Sequence, residues 1–310
     1  MPFKHLALPL GLAAAMTSAP VLATNVVASI KPVELLVRAV AGDDVSVSTL
    51  VPPGASPHSY NMKPSERRAL EQADVIFWVG PGIETFLSRM LNGADFRDRT
   101  IAFLPGQGMA DPVEDEHHDN HGHEDERGHD HGHEHSGGED PHVWLDPALA
   151  LGMAKDIRDA LAAIEGADVA ALDANLARFE RDLSATEQAI LEDLAPARDI
   201  ELFTYHDAFS RYAGHYGLKL AGVLTLNPEL SPGARHIAEV QGKLQAATHP
   251  CLLTEPQFDR QWWRSITEGL SVTFTTWDPL ATDIPTGPDG YVQFQRSIAD
   301  AVLTCLPEKA

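Results

Sequence analysis

Short strand-like segments alternate with helical segments in both halves of this 310-residue sequence. In the first half, runs rich in β-branched and aromatic residues precede stretches with helical spacing. The predicted strands cover 25–30, 45–52 and 74–80, and the predicted helices cover 31–41, 63–73 and 83–91. Alternation of this kind predicts a parallel sheet flanked by helices. We therefore expect the first half to form an α/β lobe.

One long amphipathic helix interrupts the alternation, which then restarts. Apolar residues recur at helical spacing from 168 to 194. Beyond it, predicted strands cover 201–205, 218–224, 251–255 and 271–277, and predicted helices cover 208–216, 232–245, 260–269 and 292–306. The predicted fold is α/β, with two lobes, each a mainly parallel β-sheet flanked by helices, joined by one long rigid α-helix. We place the first lobe at 24–166, the linking helix at 167–195 and the second lobe at 196–310.

The first 23 residues have the features of a cleaved signal peptide. Lys4 precedes an apolar stretch from Leu6 to Met16, and Val21 and Ala23 are small residues at the spacing that signal peptidase requires. The apolar stretch is too short to span a membrane, which takes roughly 20 residues. No Cys near the predicted cleavage point could carry a lipid. We expect residues 1–23 to be removed and the mature chain to be soluble in the periplasm.

A histidine-rich, acidic tract lies within the first predicted lobe. Residues 117–135 contain eight histidines and no large apolar residue. These are His117, His118, His121, His123, His129, His131, His133 and His135. Such a segment cannot bury enough apolar surface to offset the entropy of ordering, so we expect a disordered loop over 112–140. Its composition indicates accessory metal binding; the alternatives are a solubilising linker and an accidental low-complexity insertion.

The net charge is strongly negative and unevenly distributed. The formal charge is −22, and residues 111–140 carry half of it, with twelve acidic residues against the single Arg127. This balance argues against nucleic acid or an anionic membrane surface as a partner.

The sequence has two cysteines, Cys251 and Cys305. In an oxidising compartment the simplest expectation is that they pair with each other. Two unpaired buried thiols remain the alternative. Metal ligation by these cysteines is less favoured, because the Cys-x-x-Cys spacing of thiolate sites is absent.

Four residues could form a metal site where parallel sheets place their chemistry, at the carboxyl ends of the strands. His58 follows the second predicted strand, His206 and Asp278 end two strands of the second half, and His142 precedes a predicted N-cap at Asp146. Each taken alone is more often a structural residue. Together, three imidazoles and one carboxylate make the tetrahedral N/O set that Zn²⁺ takes. We assign no role to the remaining histidines outside the tract: His5, His215, His236 and His249.

Four short motifs carry a resemblance over essentially the whole mature chain: PPGASPHSY, DPHVWLDP, YHDAF and TWDP. They resemble, in order and spacing, the ligand-bearing motifs of the periplasmic metal-binding proteins that serve ABC transporters, often called cluster A-I. The resemblance implies two α/β lobes, a metal ion in the cleft and delivery to a membrane permease. His206 is typical of the zinc-binding members rather than the manganese-binding ones. The His-rich insertion and the cysteine pair are similar to the zinc-uptake members of Gram-negative bacteria.

The function that this resemblance implies is high-affinity capture of Zn²⁺ for import, with no enzymatic activity. A protein of the same family for manganese or another divalent metal, an adhesin and a secreted zinc hydrolase are the alternatives. Asp278, a loop histidine or water can fill the fourth metal position. We expect a monomer whose partners are the permease of a zinc ABC transporter and a periplasmic zinc chaperone.

Overall fold

The structure is a computed structural model that describes residues 24–43, 45–104, 140–225, 228, 231–258 and 261–307. The predicted signal peptide lies outside these residues. So does the predicted His-rich loop, except for its last residue, Asp140.

The first lobe contains a four-stranded sheet in which all strand pairs are parallel, with the order β2-β1-β3-β4. Its elements are β1 (Thr24–Ala28), α1 (Lys31–Ala41), β2 (Val45–Thr49), α2 (Pro64–Gln72), β3 (Val75–Trp78), α3 (Thr85–Leu91), β4 (Thr100–Ala102) and α4 (Pro147–Ala162). The first three strands confirm the sequence prediction. The fourth was not predicted, because three residues are too few to show the alternation by which a strand is recognised.

The second lobe repeats this topology, with four parallel strands in the order β6-β5-β7-β8. Its elements are β5 (Glu201–His206), α6 (Ser210–Tyr216), β6 (Leu220–Thr225), α7 (Ala234–Ala246), β7 (Pro250–Thr254), α8 (Gln261–Ile266), β8 (Thr273–Thr276) and α9 (Gly290–Leu303). The central strands β5 and β7 are almost entirely buried, as expected for parallel strands covered on both faces.

Helix α5 (Val169–Asp193) follows α4 and leads into the second sheet. The side chain of Asp168 caps its first turn by accepting the N–H of Ala171 at 3.0 Å. The apolar stripe of α5 is buried at Leu172, Phe179 and Leu183, which lie at the spacing predicted from the sequence. The stripe packs on α1 and α4 of the first lobe and on α9 of the second.

The largest apolar core extends through both lobes. It joins residues of α1 and α4 to residues of α5, α6 and α9 without a break, and each sheet has a smaller, separate core on its other face. Helix α9 packs directly on α1, so the first and second lobes touch there as well as through α5. Gly290, the first residue of α9, lies where a Cβ atom would come within 2.6 Å of Leu35 on α1. The close approach of these two helices therefore depends on glycine.

A disulfide joins Cys251 of β7 to Cys305, two residues after α9. Both cysteines are buried, and the described chain contains no free cysteine. The pairing predicted from the sequence is thus present. It ties the end of α9 to the centre of the second sheet and, in the chain-entropy model, stabilises the fold by about 4 kcal/mol.

Among the described residues, none of the helices combines the length and the apolar character that crossing a membrane requires.

Candidate metal centre

Three predicted ligands converge at the carboxyl ends of the strands, between the two lobes. His206 is the last residue of β5, and His58 lies in the loop between β2 and α2. His142 immediately precedes a single 3-10 turn, Val143–Leu145, which leads into α4. His142 and His206 are buried, with 5% and 3% of their surface exposed, and His58 is partly buried.

The geometry of the three imidazoles suits one metal ion. Their ring centroids are 5.5 Å apart for His58 and His142, 5.7 Å for His58 and His206, and 5.3 Å for His142 and His206. One ring nitrogen from each histidine lies within 4.8 Å of the other two. Nitrogens that bind one Zn²⁺ at 2.0–2.1 Å are roughly 3.5 Å apart, so small side-chain shifts would complete coordination.

The loop that carries His58 is held by its own turns. The N–H of Ala55 donates to the carbonyl of Pro52 at 3.2 Å, and Gly54 between them has a φ of 79°, which glycine adopts without strain. At the other end, the Tyr60 hydroxyl donates to Glu66 of α2 at 2.6 Å. His58 is therefore presented by a fixed loop, as its proline and glycine content predicts.

His142 is oriented by Asp140. Oδ1 of Asp140 accepts both the backbone N–H of His142 at 3.0 Å and the ring Nδ1 at 2.8 Å. Because a carboxylate can only accept, Nδ1 carries the proton and Nε2 keeps its lone pair. That Nε2 atom is buried and has no protein hydrogen-bond partner. It is the atom left for a metal ion.

His206 is oriented in the same way by Glu255, the residue after β7. Nδ1 of His206 lies 3.0 Å from Oε1 of Glu255, whose side chain is fully buried. Carboxylates that bond the second nitrogen of a metal-binding histidine fix its tautomer and raise its basicity. Sequence reasoning did not select Glu255. The strand-end rule that found His206 would have found it, because Glu255 ends the predicted strand 251–255.

The electrostatics favour neutral imidazoles, which is the form that binds metal. Burial, together with repulsion from His142 and His206, lowers the pKa of His58 to about 3. Burial and repulsion from His206 also lower the pKa of His142, although the hydrogen bond to Asp140 opposes the shift. Zinc binding to these two histidines would consequently displace few protons at neutral pH.

Apolar side chains close the space around the histidines. The pocket is lined by the three rings with Trp144, Phe258 and Leu280, among others, and its volume is about 20 Å³. Trp144 lies 5.3 Å from His142 and Phe258 lies 5.2 Å from His206, between ring centroids. A volume of this size holds one ion or water molecule rather than an organic ligand.

Asp278, the fourth predicted ligand, is not brought into the histidine group. Its Oδ1 accepts the side chain of Gln257 at 2.7 Å and the N–H of Leu280 at 3.0 Å, and its Oδ2 accepts the N–H of Thr282 at 2.7 Å. These bonds make Asp278 the cap of the turn that follows β8. The carboxylate that reaches the pocket is that of Glu255.

One histidine to which we assigned no role connects the lobes. His215 of α6 has Nε2 2.9 Å from Glu187 of α5 and Nδ1 3.5 Å from Asp146, the N-cap of α4. Hydrogen bonding to Asp146 and the charge of both carboxylates raise the pKa of His215. Since an acidic group faces each ring nitrogen, the imidazole is a structural link and not a ligand.

Comparison with known proteins identifies the family to which this chain belongs. The family model described as "ZnuA: Zinc-uptake complex component A periplasmic" matches residues 26–305. The chain belongs to the ZnuA family. The zinc-uptake protein ZnuA of Yersinia pestis is 34% identical over 288 residues, which is 91% of each chain. ZnuA of Brucella abortus (strain 2308) is 33% identical over 307 residues, or 92% of each chain.

The fold agrees with solved ZnuA structures. A crystal structure of ZnuA superimposes with a TM-score of 0.70 at 24% identity, covering 90% of this chain and 99% of the other. At that identity the superposition supports only the fold, in which two lobes each contain a parallel sheet. Members of the ZnuA family are the solute-binding component of a zinc-uptake complex. This confirms the expectation that the chain is not an enzyme. It also removes the zinc hydrolase from the alternatives.

Proposed function

We propose that the chain captures one Zn²⁺ ion between its lobes through His58, His142 and His206 and delivers it for import. The observation that carries the proposal is the buried His142 Nε2 atom, which has no protein partner and belongs to a group of three histidine nitrogens within 4.8 Å of one another. A buried polar atom without a partner is costly unless a ligand satisfies it. Zn²⁺ is the ligand that suits three neutral imidazoles.

Zinc is favoured over manganese by the donor set. Three nitrogen donors suit Zn²⁺, whereas Mn²⁺ prefers oxygen donors and binds more weakly to a given nitrogen site. The two carboxylates beside the site, Asp140 and Glu255, are bonded to histidine ring nitrogens at 2.8 and 3.0 Å. They strengthen the imidazoles as ligands. Copper binds such sites more tightly still in solution, so selectivity against it would come from geometry and availability.

The partner in this function is the membrane permease of a zinc ABC transporter, and the place of action is the periplasm. The family description names a periplasmic component of an uptake complex, which supports both. We further propose that the chain acts as a monomer and that a periplasmic zinc chaperone is a second partner. Sedimentation of the mature chain tests the first of these, and pull-down from a zinc-starved periplasmic extract tests the second.

The His-rich tract would serve the cleft as an accessory collector. Its eight histidines come with glycines and acidic residues, so each ion bound there must order several residues at about 1–2 kcal/mol apiece. Binding would be weak and rapid compared with that of a preformed site. Deletion of residues 114–139 should leave one tight zinc per chain and remove the weaker equivalents. Loss of the tight site on deletion would assign that site to the tract.

Calorimetric titration of zinc into alanine variants tests the ligand set. Replacing His58 or His142 by Ala should weaken binding strongly, because the ion loses one of three nitrogen donors. Asp278→Ala should weaken it less, since this carboxylate caps the turn after β8 and lies outside the histidine group. The control is His249→Ala, which removes an exposed histidine just before β7. Zinc affinity that survives both histidine substitutions would refute the assignment.

A further inference from the structure

Asp140 stands between a proposed zinc ligand and an arginine of the other lobe. Its Oδ1 atom accepts both hydrogen bonds from His142, and its opposite oxygen, Oδ2, is buried without a hydrogen bond. Arg211 approaches that side: its Nε lies 3.6 Å from Oδ2. About 17% of the Asp140 side chain and 15% of the Arg211 side chain are exposed, so water screens this ion pair less than a surface pair.

Arg211 also holds the backbone at this point. Its Nε donates to the carbonyl oxygen of Asp140 at 2.8 Å, and its Nη2 donates to the same oxygen. The guanidinium thus fixes both the carbonyl and the carboxylate of Asp140. A planar, fork-shaped cation does this better than an ammonium group, because its donors have a fixed geometry.

Arg211 reaches Asp140 from the second lobe. It lies on α6, which follows the strand that ends in His206, whereas Asp140 and His142 lead into α4 of the first lobe. Helix α6 also packs on the 3-10 turn that follows His142. By contrast, His206 and its carboxylate Glu255 come from neighbouring strands of one sheet. Of the two carboxylate-bonded ligands, His142 is the one whose support crosses between the lobes.

We propose that Arg211 is a positioning residue that holds the His142 imidazole for zinc through Asp140, and so makes zinc affinity depend on the contact between the two lobes. The inference rests on the proposed function, in which His142 is a zinc ligand. Arg211 itself does not touch the metal. A movement that drew α6 away from Asp140 would free the His142 ring to rotate and would speed zinc release.

Two substitutions at position 211 test the proposal. Arg211→Met keeps the length of the stem and removes every donor, so we expect zinc affinity to fall about tenfold, as for other partners of metal-binding histidines. Most of that change should appear as faster zinc dissociation. Arg211→Lys keeps the charge but not the fork, and we expect an intermediate loss. The lysine variant also decides the matter if the methionine variant does not fold.

A spectroscopic readout separates positioning from general stabilisation. In ¹⁵N spectra of histidine-labelled apo protein, His142 of the unaltered chain should carry its proton on Nδ1. Both variants should shift His142 toward a mixture of the two tautomers while the melting temperature changes little. Loss of melting temperature with an unchanged His142 signal would show that Arg211 is merely structural and would overturn the proposal.

Arg178 offers a matched control. It also pairs with a carboxylate, Asp289, and a backbone carbonyl, that of Ala39, but away from the histidines. Arg178→Met should leave zinc affinity and the His142 signal unchanged. In an Asp140→Ala background, moreover, Arg211→Met should cost much less than tenfold, because the path to His142 is already cut. An undiminished tenfold loss there would contradict action through Asp140.

The ligand assignment and this inference fail in different ways. If His142→Ala leaves zinc affinity unchanged, the proposed function is wrong at that ligand. If His142→Ala weakens binding but both Arg211 variants bind zinc like the unaltered protein, the ligand stands and the positioning role of Arg211 is refuted.

Discussion

The two lobes have the same strand order but use the same position for different chemistry. In the first sheet, strand β1 ends beside a buried glutamate that follows β3, its neighbour in the sheet. In the second sheet, strand β5 ends beside a buried glutamate that follows β7, its neighbour in that sheet. In the first lobe Ser29, just after β1, donates its hydroxyl to Glu84. In the second lobe His206, at the end of β5, bonds Glu255 at 3.0 Å.

The difference lies in what each pair leaves unsatisfied. Both oxygens of Glu84 are occupied, because the N–H groups of Val79 and Gly80 donate to them at 3.3 and 3.0 Å in addition to the bond from Ser29. The serine–glutamate pair closes the end of the first sheet. The histidine–glutamate pair leaves a ring nitrogen directed at the cleft. One topology therefore provides the position, and the residue at the strand end decides whether that position offers a nitrogen donor to a metal ion.

The largest effect should be the difference in zinc affinity between variants of His206 and variants of Ser29. His206→Ala should weaken zinc binding about 1,000-fold, one ligand's share of the roughly 10–16 kcal/mol that a zinc site supplies. Ser29→Ala at the equivalent strand end should leave zinc affinity unchanged and reduce only the free energy of unfolding. Calorimetry with zinc and urea unfolding measure the two quantities. Equal zinc affinities for the two variants would remove the distinction between the lobes.

The next effect concerns the pH dependence of apo-protein stability. Burial, partly opposed by its hydrogen bonds, raises the pKa of Glu84 from 4.5 to about 7. Between these values the folded chain binds the proton and the unfolded chain does not, so stability falls as pH rises, by about 3 kcal/mol in total. Glu84→Gln should flatten the decline measured by urea unfolding from pH 5 to 8. An unchanged slope would contradict the shifted pKa.

Replacing Glu255 should lower zinc affinity. Glu255→Gln keeps the shape but cannot hold the Nδ1 proton of His206 as a carboxylate does, so zinc affinity should fall about tenfold. Glu84→Gln, the matching change in the first lobe, should leave zinc affinity as it is. Competition with a chelator of known affinity measures both variants. If zinc affinity fell as much in the Glu84 variant as in the Glu255 variant, the serine–glutamate and histidine–glutamate pairs would be equivalent for zinc binding.

A smaller effect should come from His215, which joins the lobes. The pKa of His215 is raised, so its contribution to stability is present in full below the unfolded value near 6.5 and is lost as pH rises through the folded value. His215→Gln should destabilise the apo protein by about 1 kcal/mol at pH 6, and the deficit should shrink by pH 9. Glu187→Gln should show the same trend. A constant deficit would exclude the charged link.

The smallest change should be in overall shape. Because the main core runs through both lobes and α5 and α9 each contact the first lobe, zinc release should proceed by loop movement and small rotations. The radius of gyration of the apo and zinc-loaded forms should differ by less than about 1 Å in X-ray scattering. A difference of several Å would show that the lobes hinge apart.

The elements and ligands that could be predicted from sequence are those with a local signal. Strand and helix patterns place β1, β2 and β3, and Asp146 caps α4 as its spacing before Pro147 indicates. His206 ends a predicted strand, His58 follows one, and His142 precedes the predicted N-cap of α4; the fold brings all three together.

For two residues, sequence reasoning did not identify the hydrogen-bond partners that decide their role. Asp278 has a ligand's chemistry, but its oxygens accept hydrogen bonds from Leu280 and Thr282 in the turn that follows it and from Gln257. His215 gains its role from two carboxylates on other helices, Asp146 and Glu187. No periodicity marks such a contact, because it arises from the packing of three elements.

Because α9 packs on α1, the fold of the first lobe is completed only after the last helix of the chain has been made. Synthesis runs from the N-terminus to the C-terminus, so α9 emerges only after both sheets have been made. Until it arrives, Leu35 of α1 lacks its contact with Gly290, and the carbonyl of Trp144 lacks the hydroxyl of Tyr291 that donates to it at 2.8 Å. Trp144 lines the pocket of the three histidines. The pocket can therefore reach its final geometry only when nearly the whole chain has been made.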